Sequence, residues 1–396
     1  MPGPGHYLIG KEEREEVLEV LESGYFSRYG DPNNPNFKQK VYTLEREFAA
    51  YSGVKHCVAT SSGSGSLYVA LKALGIGAGD EVIVPAYTFV ASYTATIFAG
   101  ATPVLTEIDE SLTIDPADIE KRITKKTKAV MPVHMLGNPS DLDAISTIAR
   151  NHGLNMVEDS CQAAGASYKG RKIGSIGEIG GFSLNFFKTI TAGDGGLVVT
   201  DDDDLYWRAF AIHDQGHTPN RTGLQVGERS IIGFNFRINE LTGAVALAQL
   251  RKMDRITGKL RANKAKVKEI LKGVGGVTFR RLNDADGECG TLLTLIFPTK
   301  EKAQRVAAKL GTVTMDHSGW HVYFNMEHIL EYFREQGKEL GRGSFPKTDD
   351  ILERSVNFSV GVVDPGIGAA YGININSSDS EIEEKAAELK KAILEA

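Results

Sequence analysis

The sequence is poor in cysteine. Its three thiols, Cys57, Cys161 and Cys289, have neither the even number of a disulfide framework nor the paired spacing of a metal site, so reduced thiols and no bound metal are expected. Long apolar runs are also missing. Nothing approaches the roughly 20 apolar residues of a membrane span, and the opening from Met1 to Arg14 has no apolar signal core, which makes the cytoplasm the expected location. Neither sign of charge is in large excess. A net charge of −6 gives no reason to expect nucleic acid or an anionic membrane as partner. No internal repeat or low-complexity tract is evident, and the acidic run from Asp201 to Asp204 reads as a solvated turn opening a helix at Leu205 rather than as a metal site.

What the sequence does have is the material of a large core. With 396 residues, 41% hydrophobic and 24% charged, it can form one large and one smaller domain. Apolar strands alternate with amphipathic helices. Val82–Pro85, Thr102–Thr106, Ala129–Val133, Asn155–Val157 and Gly196–Val199 read as buried strands with crossovers, the pattern of a mostly parallel α/β sheet. A helix is expected over Lys11 to Gly24, followed by a loop from Tyr25 to Pro35 placed to wrap a partner subunit. A long helical stretch from Glu240 to Leu271 leaves the large domain. Beyond it a strand at Gly290–Phe297, a helix at Glu301–Leu310 and a closing helix at Glu381–Leu394 build the smaller αβ unit. The expected division is 1–250 for the large domain and 251–396 for the small one.

Lys188 is the residue that most needs explaining. It stands between the apolar run from Gly181 to Phe187 and the glycine-rich turn Gly193–Gly196, where an amine can be kept out of water and used as a nucleophile. A lysine at the end of an apolar run, taken alone, is equally a solvated side chain. Asp159 ends a second apolar run, 29 positions earlier (188 − 159). Together the two suit pyridoxal phosphate, whose ring nitrogen needs an anion beside it and whose aldehyde needs an amine. A third element, Ser62, Gly63, Ser64 and Gly65, leads into an amphipathic helix and is either a phosphate cradle or an ordinary cap and turn. It lacks the Gly-Lys-Ser/Thr of a nucleotide phosphate loop and the Gly-x-Gly-x-x-Gly dinucleotide pattern. Cys161, between Asp159 and Gln162, reads as a packing residue because no histidine adjoins it to activate it.

These motifs, with the segment Gly79 to Ser92, Glu158–Asp159 followed by Gln162 to Ala166, Phe182–Ser183 and Gly233 to Ile238, resemble the DegT/DnrJ/EryC1/StrS family of sugar aminotransferases over almost the whole chain. The resemblance implies the aspartate-aminotransferase fold (type I): a mostly parallel seven-stranded sheet in a large domain with a smaller C-terminal αβ domain. It implies pyridoxal 5'-phosphate as cofactor, with Lys188 as the catalytic amine, Asp159 on the ring nitrogen, Gln162 near the phenolic oxygen, Phe89 stacked on the ring, and Gly63, Ser64 and Ser183 on the phosphate. Asn235 matches a residue that reaches the phosphate from the neighbouring subunit, so a homodimer with shared active sites is implied. Relatives with histidine in place of the lysine are dehydratases. The lysine here implies transfer of an amino group from glutamate or glutamine to a keto or aldehyde sugar.

Within the family, the runs His213–His217 and Gly233–Glu240 look most similar to members that aminate carbon 8 of an octulosonate (3,8-dideoxy-8-amino-octulosonate) for lipopolysaccharide. A nucleotide-linked 4-keto or 3-keto hexose is the alternative acceptor, and a lyase, a racemase or a non-catalytic cofactor-binding regulator are other outcomes of the same residues. Candidates for sugar recognition are His217 in the polar loop 213–230, His317 and Tyr323 in the segment 316–328, His134 in the run Val133–Gly137, and Arg237. Each has a structural reading beside the functional one: loop histidines are commonly structural, and the Arg237 fork could bind a carboxylate or hold a helix terminus.

Overall fold

The computed structural model describes residues 2–219 and 231–396. Seven strands, β1 (His56–Thr60), β2 (Glu81–Pro85), β3 (Thr102–Thr106), β4 (Thr127–Val130), β5 (Asn155–Asp159), β6 (Ile179–Ser183) and β7 (Gly196–Thr200), form one sheet in the order β1-β7-β6-β5-β4-β2-β3. Strands β6 to β3 in that order run parallel, and β7 is antiparallel to both of its neighbours. Both faces are covered, which is why the strands read as unbroken apolar runs rather than alternating ones. Val82, Val84 and Val157 point into one layer with Leu67, Leu71 and Phe210, while Ile83, Val130 and Leu197 point into the other with Ile145 and Leu247. Burying each such side chain contributes about 1.5–3 kcal/mol.

Strand β4 stops at Val130, short of the expected Val133. Pro132 has no N–H to give the ladder, and the backbone continues instead through Asp159 N–H to Pro132 O and an isolated bridge between Val133 and Asp159. Strand β1 was not foreseen, since its five residues carry only a short apolar core between His56 and Thr60.

The helix Lys11–Ser23 ends at Gly24, whose φ of +66° makes the left-handed cap that the expected Gly24 terminus requires. The expected helix from Glu240 to Leu271 is two helices, Glu240–Leu250 and Met253–Ile270. Both sides of the break are held by the N-terminal helix: the Glu13 carboxylate accepts Gln249 Nε2 at 2.7 Å and Lys252 Nζ at 2.8 Å. Strands β8 (Thr278–Phe279), β9 (Leu292–Ile296) and β10 (Ser355–Ser359) make a separate antiparallel sheet, and the helix Asp379–Leu394 packs on Met253–Ile270.

The loop from Tyr25 to Pro35 is anchored to its own chain. Arg28 is 2% exposed, and its Nη2 donates to both Glu45 oxygens at 3.0 Å while Nη1 lies 3.0 Å from His213 Nε2. Burial raises the Glu45 carboxyl, and the Arg28 guanidinium opposes that rise. Removing one partner strands a buried charge, so Arg28→Met is expected to destabilise the protein by about 3–5 kcal/mol in urea unfolding. A loss under about 1 kcal/mol would show that the pair is open to water.

Candidate active site

The carboxyl ends of the parallel strands and the first turn of one helix surround a cavity of about 590 Å³, within the usual range for small-molecule sites. At one end lies the helix Gly63–Ala73. Ser62 caps it by accepting Gly65 N–H at 3.0 Å, which leaves the Gly63 and Ser64 amides without an intrahelical acceptor. They face the cavity beside Ser183. The helix start lies so close to β6 that a Cβ on Gly63 would stand 2.6 Å from Ser183 Cβ, which explains the glycine. Free amides, a helix dipole and hydroxyls together form an anion cradle.

Asp159 closes β5 and is 4% exposed. Its Oδ2 accepts Ser92 Oγ–H at 2.7 Å and its Oδ1 accepts Cys161 N–H at 3.1 Å, so the carboxylate is fixed in rotation. Gln162 stands nearby with Oε1 accepting Leu136 N–H at 3.0 Å. Phe89 turns one ring face to the cavity, and Lys188 Nζ sits 5.8 Å from its centroid.

Lys188 follows β6 in a turn closed by its own N–H to Asn185 O at 2.9 Å. Burial pushes its amine below the ordinary lysine range; Cys161, Asp159 and Asp364 pull the other way and do not win. The amine therefore sheds its proton more readily than a surface lysine, as a nucleophile must.

Gly63, Ser64, Phe89, Asp159, Gln162, Ser183 and Lys188 thus line one cavity. Its shape and chemistry fit pyridoxal phosphate: an anion cradle at one end, an aromatic face along the side, a carboxylate and an amide at the ring, and an amine with a lowered proton affinity. Asn235 lies elsewhere, in an open groove with Arg28, Arg237 and Asp194. Asp194 lines both spaces.

The sugar-binding candidates separate. His134 is fully buried; its Nδ1 accepts Ser140 N–H at 3.1 Å and its Nε2 lies 3.0 Å from Glu158, so both nitrogens are occupied and the residue is structural. Tyr323 is also core, its hydroxyl donating to Gly341 O at 2.9 Å and accepting Phe345 N–H at 3.2 Å. His317 pairs outward with Asp316 and Thr314 and is not in the cavity wall. Arg237 is taken by Asp214 and Gln215 and faces the Asn235 groove. His217 sits in the turn after the helix Asp203–His213, outside the Lys188 cavity, and residues 220–230 of the polar loop lie outside the described residues.

Two residues that the sequence did not single out stand in the wall instead. His321 is 6% exposed, with Nδ1 2.9 Å from Ser318 Oγ and its ring 5.3 Å from Phe89; burial first, and then the Lys188 charge, push its pKa down to about 3. Asp364 lines the same wall and accepts Gly366 N–H at 2.8 Å. Within the segment 316–328 three histidines compete, and only packing distinguishes His321.

The family profile of the DegT/DnrJ/EryC1/StrS aminotransferases matches residues 8–362. The chain belongs to that family. The family's cofactor is pyridoxal 5'-phosphate, and its fold is the aspartate-aminotransferase fold read from the sequence. Among relatives, the chain is 42% identical over 243 residues to GDP-perosamine synthase of Caulobacter vibrioides, an alignment spanning 61% of this chain and 62% of that protein. It is 37% identical over 338 residues to the spore coat polysaccharide biosynthesis protein SpsC of Bacillus subtilis, covering 83% and 84% of the two. An aminotransferase from Psychrobacter cryohalolentis superposes with a TM-score of 0.83 at 29% identity, covering 100% of this chain and 99% of that one.

The lowered proton affinity of Lys188 has a consequence for stability. The unfolded chain binds the proton more tightly than the folded one, so the amine costs stability below its folded pKa, and the cost fades as pH rises to the ordinary lysine value of about 10.4. In the cofactor-free DegT-family protein, Lys188→Met is expected to raise the thermal midpoint at pH 7, with the gain narrowing as pH approaches about 10. An unchanged or lowered midpoint at pH 7 would contradict the burial assigned to this amine.

Proposed function

We propose that this chain is a pyridoxal phosphate-dependent aminotransferase that moves an amino group from glutamate or glutamine to a keto or aldehyde sugar. The observation that carries the reading is the meeting of Lys188 and Asp159 in a cavity ending at the N-terminus of the helix Gly63–Ala73. When bound, the cofactor stores an amino group and spreads negative charge from the reacting carbon.

The chain's own residues do the rest. Gly63, Ser64 and Ser183 hold the phosphate, and Phe89 covers a ring face and excludes water. Asp159, locked by Ser92 and the Cys161 amide, holds a proton on the ring nitrogen. Gln162 donates to the ring oxygen. Lys188, its proton affinity lowered by burial, would take the proton from the substrate carbon as general base. Asn235 lines a groove outside the Lys188 cavity; in this reading it would reach the phosphate of a partner subunit, and the active unit would be a homodimer. The proposed division into domains is 1–250 and 251–396, and the proposed location is the cytoplasm.

For the acceptor, the runs His213–His217 and Gly233–Glu240 favour carbon 8 of an octulosonate destined for lipopolysaccharide. A nucleotide-linked 4-keto or 3-keto hexose is the second reading, favoured by the similarity to a GDP-perosamine synthase.

Visible spectra decide the class. The reconstituted protein is expected to lose its cofactor band on addition of glutamate or glutamine with release of the 2-oxo acid, and Lys188→Ala is expected to slow this about 10²–10⁴-fold. Nitrogen-15 from the donor would then be traced into either sugar. A band untouched by any amino donor would leave a cofactor-binding regulator.

A further inference from the structure

Arg280 is 4% exposed and lies just beyond β8, in the antiparallel sheet rather than in the cavity wall. No carboxylate stands within ion-pair distance of its guanidinium among the described residues, and its Nε is buried without a hydrogen-bond partner. Its two terminal nitrogens go to backbone carbonyls: Nη1 to Met135 O at 3.0 Å and Nη2 to Leu136 O at 2.7 Å. A buried cation is an expensive way to hold a turn, so the turn itself must matter.

Leu136 has φ +55° and ψ +35°, a left-handed conformation that costs a non-glycine residue about 1–2 kcal/mol. In that conformation its N–H points at Gln162 Oε1, 3.0 Å away. A backbone N–H can only donate, so this bond decides which end of the amide is which. The carbonyl faces Leu136, and Nε2, which has no protein hydrogen bond among the described residues, is left for the cavity that Gln162 lines.

We propose that Arg280 is a positioning residue for the cofactor: by pinning the carbonyls of Met135 and Leu136 it fixes the strained turn whose N–H presents the Gln162 amide as a donor to the ring oxygen. The inference rests on the cofactor reading above and extends the site to a residue of the C-terminal sheet. With the cofactor bound, a donor at the ring oxygen would stabilise its anion and so lower the pH at which the bound chromophore gives up its proton.

The test is a pH titration of the visible band in full-length protein reconstituted with pyridoxal phosphate, with cofactor affinity measured by equilibrium dialysis. Gln162→Ala and Arg280→Met are each expected to raise the titration midpoint by about 0.5–1 pH unit, and the double variant no further, because both remove the same hydrogen bond. Arg280→Lys keeps the charge but not the fork, and its midpoint is expected in between. An Arg280→Met protein that melts earlier yet titrates like the native one, or shifts that add in the double variant, would overturn the proposal. Should Arg280→Met fail to fold, Arg280→Lys decides alone: a raised midpoint supports the role, and a native midpoint with a lowered melting temperature overturns it. A native protein that binds no pyridoxal phosphate would instead remove the cofactor reading beneath it.

Discussion

The site depends on how closely the helix Gly63–Ala73 lies against β6 and β7. A Cβ on Gly196 would stand 2.3 Å from Ser66 Oγ and 2.4 Å from Ser62 O, and one on Gly181 would stand 2.9 Å from Leu67 Cδ2. Only with hydrogen at those positions can the helix settle onto the sheet. That contact brings the free amides of Gly63 and Ser64 up to Ser183 at the end of β6, and the chain leaving β6 reaches Lys188 five residues later. The anion cradle and the backbone that carries Lys188 are therefore placed relative to each other by backbone packing.

Around that frame the protein holds several ionisable groups out of water, with different outcomes. Glu158 is fully buried and satisfied by the amides of Gly174, Ile176 and Gly177 and by His134, which keep its carboxyl below the ordinary range against its burial. It anchors the strand that ends in Asp159. Arg28 and Glu45 pair with each other, with Arg28 Nε left buried and unpartnered among the described residues. Lys188 has no ion pair among the described residues, and Arg280 has only carbonyls. These last two are where the fold spends stability, and Arg280 is linked through Leu136 and Gln162 to the cavity that Lys188 lines.

The fold and the floor of the site were legible because they depend on local signals. The strands at Val82–Pro85 and Gly196–Val199 are unbroken apolar runs, and Ser62 to Gly65 is a cap leading into a helix, so pattern alone located them. Lys188 showed itself as a lone charge at the end of one such run, and Asp159 as the second of two adjacent carboxylates at the end of another. Long-range packing was not legible. His134 and His321 are both histidines near apolar residues, yet the first spends both nitrogens on Glu158 and Ser140 and the second faces Lys188; nothing in either neighbourhood encodes the difference. Arg280 and Gln162 are 118 positions apart (280 − 162), linked through a left-handed leucine that no sequence pattern announces. The contacts that flank the break at Arg251–Lys252 were hidden for the same reason, since Glu13 lies at the other end of the chain.

The central claim is that burial in the cavity keeps the Lys188 amine ready to bond a carbonyl. Reducing the pyridoxal phosphate-loaded protein with borohydride and mapping the label by peptide mass spectrometry tests it directly. The account predicts a single phosphopyridoxyl group on the peptide containing Lys188. A label spread over surface lysines, or concentrated on another one, would contradict it.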